Sequence, residues 1–148
     1  MSLEKDINQS KFLDEHQKVM VNIIYTANWI NEKLKAFFDK EDITQQQFNI
    51  LRILRGAGKP ISTLQIRQRM LDKMSDTSRI VDRLVLKGLV VKTACPTDKR
   101  LVDVSISTKG KKTLKKLDEK HNEIISICTA VSEAEANTLS KLLDKMRN

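Results

Sequence analysis

Within residues 44–110 the apolar side chains switch from a helical spacing to an alternating one and back. That double switch limits the fold more than any other feature of the sequence. Leu89, Val91 and Thr93 alternate with Val90, Lys92 and Ala94, and Val102, Val104 and Ile106 alternate with Leu101, Asp103 and Ser105. Between the two runs stands Cys95-Pro96-Thr97-Asp98-Lys99-Arg100, a charged loop containing a proline. Two strands joined by such a loop form a β-hairpin. The helical spacing before it is punctuated by caps. Thr44-Gln45-Gln46-Gln47 is a capping box, and it opens a short helix with Phe48, Leu51 and Leu54 on its buried face. Gly56 and Gly58 end that helix, and Pro60 forbids its continuation. Ser62-Thr63-Leu64-Gln65 repeats the box and opens a second helix with Leu64, Ile66 and Met70 as its apolar positions. Asp72 is the expected N-cap of a third, over 73–87, with Ile80, Val81 and Leu84 inward and Gly88 as its stop.

The flanks are helical. Val19, Ile23, Ala27, Ile30, Leu34 and Phe37 form one stripe, widened by Met20, Ile24 and Phe38, so residues 10–39 read as one long helix. At ~45 Å it is longer than a small domain is wide, and its overhanging stripe needs a partner. Ser107 or Thr108 caps a helix carrying Leu114, Leu117, His121, Ile124, Ile125 and Cys128. Ser132-Glu133-Ala134-Glu135 is a further capping box, opening a last helix with Leu139, Leu142, Leu143 and Met146. The fold class is mainly α with a small β-hairpin.

Composition excludes several functions. The 148 residues suffice for one domain with a core of its own. No stretch approaches the ~20 apolar residues of a membrane span. The start, Met1-Ser2-Leu3-Glu4-Lys5-Asp6, lacks the apolar core of a secretory signal. Cys95 and Cys128 stand far apart with no CxxC spacing, which suits a reducing, cytoplasmic setting. Two histidines cannot make a metal cluster alone, and HExxH, P-loop, GxGxxG and GxSxG motifs are all missing. No catalytic residue, metal or cofactor is expected. Aromatic residues are 4%, too few for a base-stacking platform.

The charge is confined. The net charge is +8, yet residues 1–43 sum to −2 and residues 113–148 to zero, while residues 44–112 carry 15 basic and 5 acidic side chains. A block of +10 over that span attracts polyanions. Three short helices and a hairpin inside it have the element order of a winged helix-turn-helix. The third helix would lie in a major groove of DNA. Ser75, Asp76, Thr77, Ser78, Arg79, Asp82 and Arg83 would face outward there, all suited to hydrogen bonds with bases and phosphates. The bland reading is an amphipathic helix with a solvated polar face; its place beside the hairpin in one basic block favours DNA. In the wing loop Thr97, Asp98, Lys99 and Arg100, the arginine can enter a narrow minor groove while Asp98 orients its guanidinium.

At these residues the chain resembles the MarR (multiple antibiotic resistance regulator) family. The resemblance is carried by Ser78-Arg79-Ile80-Val81-Asp82-Arg83-Leu84, Lys87-Gly88-Leu89-Val90, Asp98-Lys99-Arg100 and Val104-Ser105-Ile106-Ser107-Thr108-Lys109-Gly110, in order and spacing. The long first helix and two closing helices extend it over nearly the whole chain. It implies one MarR-like domain over 1–148, with a helical dimerisation region at 10–39 and 107–148 and a DNA-binding lobe at 44–106. It implies a homodimer on a pseudo-palindromic operator, usually a repressor, released by a small phenolic or lipophilic ligand or by oxidation. Arg79 and Arg83 fall on the family's recognition-helix arginines, and Asp98 and Arg100 on its wing pair. The reactive cysteine that the peroxide-sensing branch carries near the start of its first long helix is missing here, so Cys95 and Cys128 are the only thiols that a redox-sensing alternative could use. A ligand pocket between base and lobe would use His16, Tyr25 and Trp29, the first-helix residues with both ring area and a polar atom. The alternative from another class is a winged-helix module that binds protein rather than DNA.

Overall fold

The computed structural model describes residues 2–148. In chain order it has α1 (Leu3–Asp6), α2 (Glu15–Lys40), α3 (Gln45–Ala57), β1 (Ile61–Ser62), α4 (Thr63–Arg69), α5 (Thr77–Leu86), β2 (Val90–Ala94), β3 (Val102–Ile106), α6 (Thr108–Asp118), α7 (His121–Ile125), a 3-10 turn over Ser126–Cys128, and α8 (Glu133–Met146). The architecture is the expected one, mainly helical with a hairpin. No helix among the described residues is long and apolar enough to cross a membrane.

The caps explain most boundaries. Thr44, Ser62 and Ser132 each accept a hydrogen bond from the backbone three residues on, and Gln47, Gln65 and Glu135 reach back to complete the box. Ser107, not Thr108, caps α6. Gly58 and Gly88 hold left-handed backbone (φ 65° and 70°) where α3 and α5 stop, a conformation that side chains with a Cβ resist.

Four expectations need correction. The long helix begins at Glu15, not residue 10, because Asp14 caps it by accepting from Gln17 N at 2.8 Å. The third lobe helix begins at Thr77, capped by Asp76, rather than near 73. Asp72 instead holds a turn, accepting from Met74 N at 3.0 Å through its side chain and from the Ser75 hydroxyl at 2.8 Å through its backbone carbonyl. The helix after the hairpin breaks after Asp118, where Lys120 N bonds the Leu117 carbonyl in a tight turn. A third strand also joins the hairpin: β1 pairs antiparallel with β3 (Ile61↔Val104, Ser62↔Asp103), giving the sheet order β1-β3-β2.

The core lies in the lobe. Ile50, Leu51, Leu54, Ile66, Met70, Val81, Leu84, Val104 and Leu114 are buried together, with Phe37, Phe38 and Ile43 closing it from the end of α2. Gly110 brings α6 onto the lead into β2: a Cβ there would stand 2.2 Å from the Leu89 carbonyl oxygen. Among the described residues the first half of α2 and all of α8 contribute no residue to this core, and α7 contributes only half-buried Ile124 at its edge. Val19, Met20, Ile24, Tyr25 and Trp29 on α2, and Leu139, Leu142 and Met146 on α8, are exposed.

Glu41 ties the two regions. Its carboxylate, 7% exposed, meets Lys120 directly and Lys116 Nζ at 3.4 Å. The Lys120 ammonium, with Lys116 behind it, holds the carboxyl below the usual carboxylate range against the opposing effect of burial.

Candidate nucleic-acid interface

Burial of Thr77, Val81 and Leu84 sets the rotation of α5. Ser78, Arg79, Asp82 and Arg83 are thereby turned outward. Neither arginine has a carboxylate within ion-pair distance among the described residues, so two guanidiniums stand free on one helical face, four residues apart. Asp82 is already engaged: Lys92 on β2 donates to its Oδ1 at 2.7 Å, fastening the hairpin to α5. Asp76 uses its Oδ1 to accept from Arg79 N at 3.2 Å. Ser75 is half-buried and its hydroxyl donates to the Asp72 carbonyl, leaving its lone pairs for another donor. Thr77 corrects the outward reading. It is 3% exposed and its hydroxyl lacks a partner among the described residues, because at the first helical position it must face the same way as Val81.

The wing follows the expectation closely. β2 and β3 pair from Val90↔Ile106 to Ala94↔Val102. Leu101 N bonds the Asp98 carbonyl and Cys95 N the Leu101 carbonyl, each at 3.0 Å, which closes the loop. Asp98 Oδ1 accepts from Arg100 N at 3.0 Å and from Arg100 Nε at 3.2 Å. The Arg100 backbone N–H first, and its guanidinium second, hold the Asp98 carboxyl below its ordinary value. Asp98 therefore stays ionised and aims a guanidinium that is itself 90% exposed. Thr97 and Lys99 are exposed on the same loop. The Thr97 hydroxyl, then the Thr97 and Asp98 backbone N–H groups, lower the thiol pKa of half-buried Cys95. Cys128 is exposed at the end of the 3-10 turn.

Two features escaped the sequence reading. Leu64, one of the three apolar positions of its helix, is 62% exposed. The cap at Ser62 fixes the phase that buries Ile66 and Met70, and Leu64, two residues before Ile66, points away. With Thr63, Arg67, Met74, Ser75, Asp76, Thr77 and Ser78 it lines a groove of about 470 Å³ at the head of α5. The second feature is a cleft of about 480 Å³ between α2 and the lobe, lined by Asn31, Lys35, Phe38, Asp39, Thr44, Gln45, Gln46, Asn49, Leu71 and Asp72. His16, Tyr25 and Trp29 are exposed along α2 and none lines this cleft.

A family model described as the MarR family matches residues 41–101. The multiple antibiotic resistance protein MarR of Escherichia coli (strain K12) is 30% identical over 130 residues, 84% of this chain and 88% of the relative. The chain belongs to the MarR family. The HTH-type transcriptional regulator MhqR of Bacillus subtilis (strain 168) is 27% identical over 119 residues, 79% of this chain and 81% of that protein. A crystal structure of a cysteine-to-serine variant of E. coli MarR complexed with operator DNA matches with a TM-score of 0.80 at 25% identity, covering 93% of this chain and 99% of that one. The lobe is thus the winged helix-turn-helix of a MarR-family transcription regulator, with α4 and α5 as the helix-turn-helix and β2–β3 as the wing.

Proposed function

We propose that the protein is a homodimeric repressor that binds a pseudo-palindromic operator, with α5 in the major groove and the wing in the flanking minor groove. One observation carries the reading: Arg79 and Arg83 stand unpaired on the exposed face of α5, beside a wing whose Arg100 is aimed by Asp98. Unpaired guanidiniums lose nothing in protein contacts when they engage phosphates or guanine edges. Ser78 and Ser75 add short hydroxyls at the head of the helix, where base edges are met. Dimerisation follows from the apolar side chains left exposed on α2 and α8. Two lobes on one base set their recognition helices ~34 Å apart, one turn of DNA.

Small-molecule release belongs to the cleft between α2 and α3 rather than to Tyr25 and Trp29. Its Phe38 and Leu71 give apolar surface, and Asn31, Gln45, Gln46 and Asn49 give amide donors and acceptors, a lining suited to an aromatic ligand bearing hydroxyl groups. Such a ligand acts by binding one arrangement of base and lobe better than the other. A thiol switch is the second reading, favoured by the lowered thiol pKa of Cys95 inside the wing itself.

The test is selection of bound fragments from random duplex DNA, followed by anisotropy titration of the selected operator. Arg79→Ala should weaken operator binding by about 1–3 kcal/mol with an unchanged unfolding midpoint. Retention of a protein ligand but no sequence-selected DNA at ~150 mM salt would replace this reading with a protein-interaction module. Peroxide release of the operator that vanishes in Cys95→Ser would establish the thiol switch.

A further inference from the structure

The lobe's cations are not confined to the face formed by α5 and the wing. A second basic cleft, of about 480 Å³, opens where the end of α3, the Gly58-Lys59-Pro60 turn, the end of β3 and α6 meet. Leu54, Pro60 and Ile106 give it an apolar floor. Lys59, Lys111 and Lys115 line it, and none has a carboxylate within ion-pair distance among the described residues. The one acid at the cleft is already used: Asp118 receives Arg55 Nη1 at 2.6 Å and Nη2 at 3.2 Å. Three lysines without an ion-pair partner among the described residues therefore line one cleft with an apolar floor.

One of these lysines, Lys111, sets its charge against the dipole of its own helix, while Lys115 lies in the last turn of α6. The first turns of α6 hold Lys109, Lys111 and Lys112 and no acidic residue. The positive end of a helix disfavours cations and favours anions. Lys111 and Lys115, four apart, share one face, where like charges repel. An anion seated between them and Lys59 relieves both penalties at once.

The cleft is also remote from DNA docked on α5 and the wing. β3 runs from the wing loop at Val102 to the cleft at Ile106, a span of ~13 Å. We propose that this cleft binds a small organic dianion, of the class of aryl phosphates and aromatic dicarboxylates. Its charged end meets Lys59, Lys111 and Lys115, and its apolar body covers Leu54, Pro60 and Ile106. Such a ligand bridges α3 and α6, the elements that the Arg55–Asp118 pair already joins, and it occupies a site separate from the cleft beside α2.

Isothermal titration at low salt tests this with four probes: phenyl phosphate, phthalate, benzoate and inorganic phosphate. Phenyl phosphate, phthalate or both should bind once per chain, at least about tenfold tighter than benzoate, which lacks the second charge, and than inorganic phosphate, which lacks the apolar body. Which of the two dianions binds separates the phosphate class from the dicarboxylate class. The double variant Lys111→Gln/Lys115→Gln should lose at least about tenfold in that affinity while keeping its fold and its operator affinity. Equal binding by the double variant, or no binding of either dianion, would overturn the site. Inorganic phosphate binding as tightly as phenyl phosphate would reduce it to an adventitious ion only. Weaker operator binding with a shallower salt dependence in the double variant would reassign the lysines to DNA phosphates, and the proposal would fall while the operator reading stood.

Discussion

Leu84 in the lobe and Leu142 in the base both sit at helical spacing in amphipathic helices, yet the first is fully buried and the second more than half exposed. The same contrast runs through the two regions. The lobe closes its core within one chain, around Ile50, Leu51, Ile66, Val81 and Val104. The base leaves Val19, Met20, Ile24, Leu139 and Met146 in solvent. One region covers its apolar face within the chain and the other leaves it exposed. An apolar stripe in sequence states that a face will be covered, but not whether its cover comes from the same chain.

Charging the base should have the largest effect. Leu139→Asp/Leu142→Asp leaves the lobe untouched but places four carboxylates in the proposed two-fold interface. Half-exposed leucines forfeit about 1 kcal/mol of further burial each, so the four cost about 4 kcal/mol before desolvation of the acids is counted. Sedimentation velocity should show a dimer become a monomer while the lobe's helicity survives. A variant that stays dimeric at micromolar concentration would remove α8 from the interface.

The lobe is tested next by Gly110→Ala. The added methyl would lie 2.2 Å from the Leu89 carbonyl oxygen and 2.8 Å from Ile106 Cγ1. The first of these is backbone and cannot rotate aside. Alanine's better helix propensity, at most about 1 kcal/mol, is outweighed by overpacking of about 1–3 kcal/mol. Thermal unfolding should show the loss with oligomeric state unchanged, which is the converse of the base variant.

What the sequence disclosed follows the same division between local and distant causes. Thr44, Ser62 and Ser132 were legible as caps because donor and acceptor lie three residues apart. The Asp98–Arg100 contact was legible for the same reason. Asp72 and Asp76 are equally good caps in sequence; only the need to bury Thr77, Val81 and Leu84 selects Asp76, and that need is tertiary. β1 is two residues long and has no period to detect; its pairing with β3 exists only once the hairpin is in place. The cleft beside α2 gathers residues from three separated segments, which is why ring chemistry on one helix pointed to Tyr25 and Trp29 instead.

The wing belongs to the lobe, yet its tip stands in solvent. Arg100→Ala should weaken operator binding by about 1–3 kcal/mol and leave stability unchanged, since the side chain is almost wholly in solvent. Asp98→Ala should give a smaller loss of operator affinity and raise binding to unrelated duplexes. It frees the guanidinium from its fixed aim and removes a negative charge beside the phosphates. Anisotropy titrations against operator and scrambled duplex separate the two effects, and equal losses on both duplexes in Asp98→Ala would deny the aiming role.

The smallest expected effect lies at the joint between the regions. Glu41 follows the end of α2 and is held by Lys116 in the last turn of α6 and Lys120 just after it. Its folded pKa is depressed below the ordinary carboxylate value of ~4.3. A depressed carboxylate contributes stability that is fully present above its unfolded pKa and is lost as pH falls through the folded one. Glu41→Gln should therefore lower the unfolding midpoint by about 2–4 °C at neutral pH, the size of a modest, partly solvated ion pair in a chain of this length. As pH falls below ~4 the two proteins should converge, because the wild-type carboxylate becomes protonated and loses the same attraction. A gap that persists undiminished to the acid limit would mean that the amide fails on shape or hydrogen bonding rather than charge. The joint would then be held by packing of Phe37 and Phe38, and the two regions would be coupled without any titratable link.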